Sequence, residues 1–239
     1  MSGHSHWAGI KHRKGINDAK RGKIFTKHAK MITIMARDGG GNPDVNFQLR
    51  LAIDRARLDN MPKENIDRAI KKGTGELKDG NEIAEIIYEG MGLGGVMMLI
   101  KTATDNRNRT VSEIKNIFTK AGGKLGEVGS VSWNFKKVGS INISVQDEND
   151  LDKIEEKAID AGAEDTIYAD NILTIYTLPE NLKTVQENLE KPGLKIEAVG
   201  MIFIPLQKTV LSESDRLDYE KLLETLDDQD DTQEIFDNL

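Results

Sequence analysis

The chain has 239 residues, 38% hydrophobic and 31% charged, with a formal net charge of −7 at pH 7, the profile of a globular chain long enough for two or three domains. Zero cysteines exclude disulfides, thiolate metal sites and cysteine nucleophiles, and the longest apolar runs, such as Val96 to Ile100, fall far short of the roughly 20 residues of a membrane helix. The charge is unevenly placed: residues 1–72 carry 16 Lys and Arg against 7 Asp and Glu, a net of +9, whereas residues 73–239 carry 17 against 33, a net of −16. A basic front end on an acidic chain points to a polyanionic partner.

That front end holds all four histidines (His4, His6, His12, His28) and Trp7. After Lys11 the chain continues His12-Arg13-Lys14 and stays polar to Lys23, so no secretory signal is expected and the predicted location is cytoplasmic. From His4 to Lys30, Lys11, Arg13, Lys14, Lys20, Arg21, Lys23, Lys27 and Lys30 stand against a single acid, Asp18. Cationic groups match phosphates and the interleaved rings offer faces to bases, so this arm is read as a nucleic-acid contact. His4, His6 and His12 have metal-ligand chemistry, but no carboxylate lies between them and no rigid element fixes their geometry; no metal site is expected. His28 falls on an apolar helical stripe and reads as a core histidine.

Residues 16–72 read as three short helices. In the first, Ile24, His28, Met31, Ile32 and Met35 recur at helical spacing until Gly39-Gly40-Gly41. The second is expected to open with Asn42 as N-cap and Pro43 at the first helical position, burying Val45, Leu49, Ala52, Ile53 and Ala56. Pro62 opens the third, with Ile66, Ala69 and Ile70 inward and Gly73 as its stop. Such stripes are buried against one another, which predicts a helical bundle behind the basic arm.

The polar stretch Thr74–Asn81 marks a boundary. Beyond it, strands are predicted at 83–89 and 95–103 around a glycine-rich turn, a helix at about 106–120, and a strand at 131–136 with Trp133 and Phe135 in the core. Residues 140–203 then read as a complete β-α-β-β-α-β unit with Asp170-Asn171 turning between its middle strands. Residues 205–239 are therefore expected to return to the preceding domain. The predicted class is α+β: a basic arm and helical bundle (1–75), a discontinuous α/β domain (76–137 plus 205–239), and a ferredoxin-like domain (138–204) inserted into it. The acidic run Asp227-Asp228-Gln229-Asp230-Asp231 lacks the glycine of a calcium loop and reads as a solvated helix end.

The segment Glu89-Gly90-Met91-Gly92-Leu93-Gly94-Gly95 superficially resembles a dinucleotide-binding glycine pattern, but Val96 to Ile100 reads as a strand where that fingerprint needs a helix N-terminus. A hairpin turn is expected instead, and no P-loop, nucleophile elbow or metalloprotease helix occurs. No enzymatic activity, cofactor or small-molecule substrate is therefore predicted. In Thr104 to Thr110, Asp105 looks like an N-cap that would place Arg107 and Arg109 in a first helical turn, where the dipole disfavours cations. Either these arginines reach into solvent or they join free backbone N–H groups in an anion site.

Several segments, Gly3-His4-Ser5-His6-Trp7, Ile10 to Lys14, Asp18 to Lys27, Gly39-Gly40-Gly41, Leu49 to Ile53, Asn60 to Lys63, Thr104 to Thr110, Gly122-Gly123 with Leu125-Gly126, and Gly129-Ser130-Val131, strongly resemble the YebC family along the whole chain. The resemblance implies a three-domain, non-enzymatic regulator of gene expression. Bacterial members are described as DNA-binding transcription regulators; others, and a mitochondrial relative that activates translation of a cytochrome oxidase subunit, act on the ribosome. His6 stands where the family usually has lysine, exchanging a fixed charge for one that varies near neutral pH. Met91 and Leu93 replace the usual aromatic and proline, so the resemblance carries neither stacking nor rigidity over to that turn. Because the match begins at Met1, a bacterial cytosolic member is expected rather than an organellar precursor. The expected partners are ribosomal RNA or DNA, with the ribosome favoured over duplex DNA and no membrane. No recognition helix with base-reading residues is evident, and an acidic body behind a basic arm suits one docking orientation on RNA.

Overall fold

A computed structural model of the chain describes residues 18–77, 81–191 and 194–239, without the side chains of residues 18–20 and 148. The described residues form an α+β fold with two four-stranded antiparallel sheets. They divide into two compact units, one running to Asn134 and resuming over Pro205–Leu239, the other comprising Phe135–Ile204.

The first unit opens with helices α1 (Asp18–Gly39), α2 (Phe47–Leu58) and α3 (Lys63–Gly73). Their apolar stripes meet in one core, where Ile32 and Ala36 pack with Leu49, Ile53, Ala56, Met61, Ile66 and Ala69. Gly73 lets α3 end directly on α1, since a Cβ there would lie 2.4 Å from the Thr33 carbonyl oxygen. The second helix begins later than its sequence suggests. Asn46, not Asn42, is the N-cap: its side-chain oxygen accepts from Leu49 N while its amide donates to the carbonyls of Met35 and Gly40, both at 2.8 Å. Asn42 caps a preceding turn, and Val45 is left 78% exposed rather than buried.

Strands β1 (Ala84–Met91) and β2 (Met97–Thr104) form a hairpin in register from Ala84↔Thr104 to Met91↔Met97. The turn between them carries Gly94 and Gly95 at φ +63° and +79°, a conformation natural to glycine, and it feeds a strand, not a phosphate-cradling helix. Helix α4 (Arg107–Lys120), the short strand β3 (Lys124–Leu125), helix α7 (Glu213–Asp228) and strand β8 (Thr232–Asp237) complete the layer, in strand order β3-β1-β2-β8. Val96, Met98, Ile100 and Ile235 meet Ile114 and Phe118 of α4 and Tyr219, Leu222, Leu223 and Leu226 of α7. On the other face, Ala103 packs with Ile83 and Ile34, joining α1 to the sheet.

The expected strand at 131–136 is displaced. Residues Ser132–Asn134 make a tight turn, and strand β4 (Phe135–Ser144) starts after it. Trp133 is accordingly 57% exposed, with its indole N–H donating to the Ser130 carbonyl, whereas Phe135 and Ile143 are buried. Buried Asn134 decides the turn: its side chain donates to the Gln207 carbonyl and accepts from Gln207 N, each at 2.9 Å, while its own carbonyl accepts from Leu206 N. The chain thus leaves the first unit and re-enters it through one clasp.

The second unit contains β4, α5 (Leu151–Ala161), β5 (Asp165–Ala169), β6 (Ile172–Thr177), α6 (Leu182–Glu190) and β7 (Ile196–Pro205). Strand order β5-β6-β4-β7 is the ferredoxin-like arrangement. Ile141, Ile143, Leu173 and Ile175 point to one face and are buried together with Ile154, Ala158, Leu182, Val185 and Leu189 of the helices. Asp170 and Asn171 both take positive φ in the β5–β6 hairpin, as a two-residue turn of this type requires.

Candidate nucleic-acid interface

Helix α1 gives the basic front end a rigid element. Lys20 lies in its first turn, and Arg21, Lys23, Lys27 and Lys30 follow along it. His4, His6, Trp7, Lys11, His12, Arg13 and Lys14 lie outside the described residues. Arg21 is exposed and borders a shallow depression with Ile24, Phe25, Leu58, Asp59 and Asn60. His28 sits at the rim of the bundle core, 2.6 Å from Asp59 Oδ2.

Lys23, Lys27 and Lys30 recur at i, i+4 and i+7, so they project from one side of α1. That side faces the acidic run at the end of α7, which is therefore an internal partner and not a solvated helix end. Lys23 donates to the Asp228 carbonyl and pairs with the Asp230 carboxylate, both at 3.0 Å. Lys27 bonds the Asp227 carbonyl, with the Asp227 carboxylate 3.8 Å away. Lys30 reaches the Asp230 carbonyl at 3.0 Å and the Asp231 carboxylate at 2.6 Å. The lysines thereby satisfy carbonyls that a helix end and its exit turn leave without intrahelical partners.

Asp231 is the hub of this contact. Besides Lys30 it accepts from Arg109 at 2.9 Å and from the Thr110 hydroxyl at 2.7 Å, and its side chain is 1% exposed. Burial acts to raise its pKa, but the hydrogen bonds from Lys30, Thr110 and Arg109 outweigh that and hold it well below the usual carboxylate range. Gln229 fixes the turn by accepting from the backbone N–H of Asp231 and Thr232. A second cluster lies nearby, where Glu234 binds Arg55 of α2 and Lys101 of β2. Burial opposes ionisation there too, yet Arg55 and Lys101 draw the Glu234 pKa down to about 2.

The first turn of α4 resolves differently from its sequence reading. Asn106 is the N-cap, accepting from Arg109 N at 3.1 Å, and its own N–H is held by Thr104 Oγ1 at 2.9 Å. Asp105 is displaced from the capping role and pairs with Arg109 at 3.0 Å. Arg109 is thus held by two carboxylates. Arg107 is exposed, and its side chain makes no hydrogen bond or ion pair to a described residue.

With this geometry established, comparison with known proteins places the chain. Residues 5–76 match the model of the TACO1/YebC protein N-terminal domain, and residues 83–239 match that of the TACO1/YebC second and third domain. The chain belongs to the TACO1/YebC family. It is 46% identical over 240 residues to a "Probable transcriptional regulatory protein" of Halothermothrix orenii, covering all of this chain and 94% of the relative. A protein of the same description from Thermotoga maritima is 49% identical over 238 residues, covering all of this chain and 93% of the relative. The crystal structure of a conserved hypothetical protein from Aquifex aeolicus superposes with a TM-score of 0.87 at 46% identity, over 98% of this chain and 96% of that one.

Three features of this YebC-family protein escape a reading of local sequence. Asp231 and Glu234 take their meaning from cations some 120 to 200 positions away, and the only local sign is that Lys23-x3-Lys27-x2-Lys30 and the acidic run are complementary in charge. Glu89 is buried beside the glycine turn, accepting from the backbone N–H of Gly129, Val131 and Ser132 at 2.8, 2.8 and 2.9 Å. Burial acts to raise its pKa, but these donors bring it below the ordinary value, so the carboxylate serves as an internal anion that organises the 129–132 loop.

Proposed function

We propose that this TACO1/YebC protein is a non-enzymatic regulator of gene expression that binds nucleic acid through its basic front end and acts on the ribosome. The observation carrying this reading is the charge distribution: +9 over residues 1–72 against −16 over the rest. Duplex DNA repels an acidic body from most approaches, whereas a ribosomal cleft lets the basic end alone touch RNA. The contact residues in this reading are His4, His6, Trp7, Lys11, His12, Arg13, Lys14, Lys20, Arg21, Lys23, Lys27, Arg107 and Arg109. Lys27 and Arg109, engaged with Asp227 and Asp231, contribute less than the others. The glycine turn, which feeds a strand, gives no support to a nucleotide-dependent enzyme.

The names of the relatives favour a second reading, a DNA-binding transcription regulator. Sucrose-gradient sedimentation of lysate at near-physiological salt separates the two. On the ribosomal reading the protein travels with ribosomes and removal of residues 1–17, which spares α1, releases it. With roughly six phosphates engaged, log affinity for RNA falls against log salt with a slope of about −4 to −5. Absence from ribosomal fractions together with a sequence-specific DNA footprint would leave the transcriptional reading standing.

A further inference from the structure

The acidic run holds more negative charge than its structural task uses. Seating α1 on the end of α7 takes the main-chain carbonyls of Asp227, Asp228 and Asp230, which any residue supplies, the buried carboxylate of Asp231, and the largely covered carboxylate of Asp227 beside Lys27. The Asp228 side chain is exposed and its carboxylate makes no hydrogen bond to a described residue; among the described residues Asp230 offers its carboxylate only to Lys23, at a pair 53% and 72% exposed. Both acids sit at or just beyond the C-terminus of α7, where the helix dipole and their acidic neighbours disfavour negative charge. Locally unfavourable carboxylates are thus held at the rim of a lysine row.

We infer that Asp230, with the exposed charge of Asp228 two residues before it, acts as an internal phosphate mimic, standing where the backbone of an RNA strand would meet Lys23, so that RNA must displace or outcompete it to use the open end of this side of α1. The chemistry matches: carboxylates and main-chain carbonyls offer the ammonium groups the same anionic and oxygen acceptors that phosphodiesters do. The gradation also matches, because Lys27, Lys30 and Asp231 are almost enclosed and stay fixed, while Lys23 and Asp230 lie open to solvent and exchange partners readily. The mimic sets a threshold, rejecting stray polyanions and admitting a partner that brings many phosphates at once. This inference rests on the RNA-binding reading above.

The test uses the full chain, a labelled single-stranded poly(U) oligonucleotide and fluorescence anisotropy at low salt. Asp228→Asn with Asp230→Asn keeps every carbonyl acceptor and removes two charges. Affinity should rise roughly twofold to tenfold, with the gain fading as salt is raised. Asp152→Asn with Asp160→Asn, exposed acids on α5, makes the same change in net charge and should give a smaller gain. Adding Lys23→Gln should abolish the difference. Unchanged affinity in the Asp228/Asp230 variant while the parent binds RNA would overturn the mimic and leave the RNA-binding reading intact; so would an equal gain from the α5 control. Binding by the variant alone would support the mimic and show that the parent is closed to RNA unaided. Binding by neither protein would remove both ideas together.

Discussion

The two ends of the α1–α7 contact share one chemistry and differ in surroundings. At the inner end, Lys30 and Asp231 have side chains 16% and 1% exposed, and Asp231 also carries Arg109 and Thr110. At the outer end, Lys23 and Asp230 are 53% and 72% exposed and have each other plus one main-chain carbonyl. An enclosed carboxylate shared by two cations cannot lose its charge without stranding them, whereas an exposed pair exchanges partners with water at little cost. The same residue types thus make a fixed anchor at one end and an exchangeable surface at the other. Burial, not charge, assigns the roles.

The strongest way to break this comparison is Asp231→Ala. It leaves Lys30 and Arg109 without their shared anion and should lower unfolding free energy by about 3–5 kcal/mol in urea titrations. A loss below about 1 kcal/mol would mean that water replaces the carboxylate and that the inner end is no anchor.

Acid sharpens the contrast next. Folding depresses the pKa of Asp231 and brings Glu234 from 4.5 to about 2, so their contribution is fully present above about pH 4.5 and is lost as pH falls towards 2. Melting temperature should decline across that window, and Glu234→Gln should make the decline shallower while lowering stability at neutral pH. An unchanged slope in the variant would deny Glu234 its part.

The smallest effect belongs to the outer end. Lys23→Gln should change stability by no more than about 0.5 kcal/mol while weakening RNA binding measurably. A destabilisation comparable to that of Asp231→Ala would erase the distinction between the ends.

Helices and their buried faces were legible because α1, α2 and α3 each repeat apolar residues at a spacing that only a shared core satisfies. The caps were not. Asn42 and Asn46 are equally competent in sequence, as are Asp105 and Asn106; Asn46 wins because the carbonyls of Met35 and Gly40 lie within reach of its amide. Trp133 fits a strand by type, but the partner of its neighbour Asn134 is Gln207, which arrives only after the inserted unit has folded back. The site divides in the same way. Its cations were visible as a cluster within one stretch of chain, while Asp227 to Asp231 became their partners through packing that no local pattern encodes.

The clasp between Asn134 and Gln207 has a mechanical consequence. Both hydrogen bonds bridge the two strands of chain at the neck of the excursion Phe135–Ile204, so tension arriving at Asn134 is passed across to Gln207 instead of entering the inserted unit. A molecule drawn from both ends by a force probe should therefore open the sheet β3-β1-β2-β8 first, beginning where β8 peels from β2, and surrender the ferredoxin-like unit last. A force trace in which the length of Phe135–Ile204 is released first would contradict this. The neck works as a shunt, and the inserted unit stays slack while the rest of the chain bears the load.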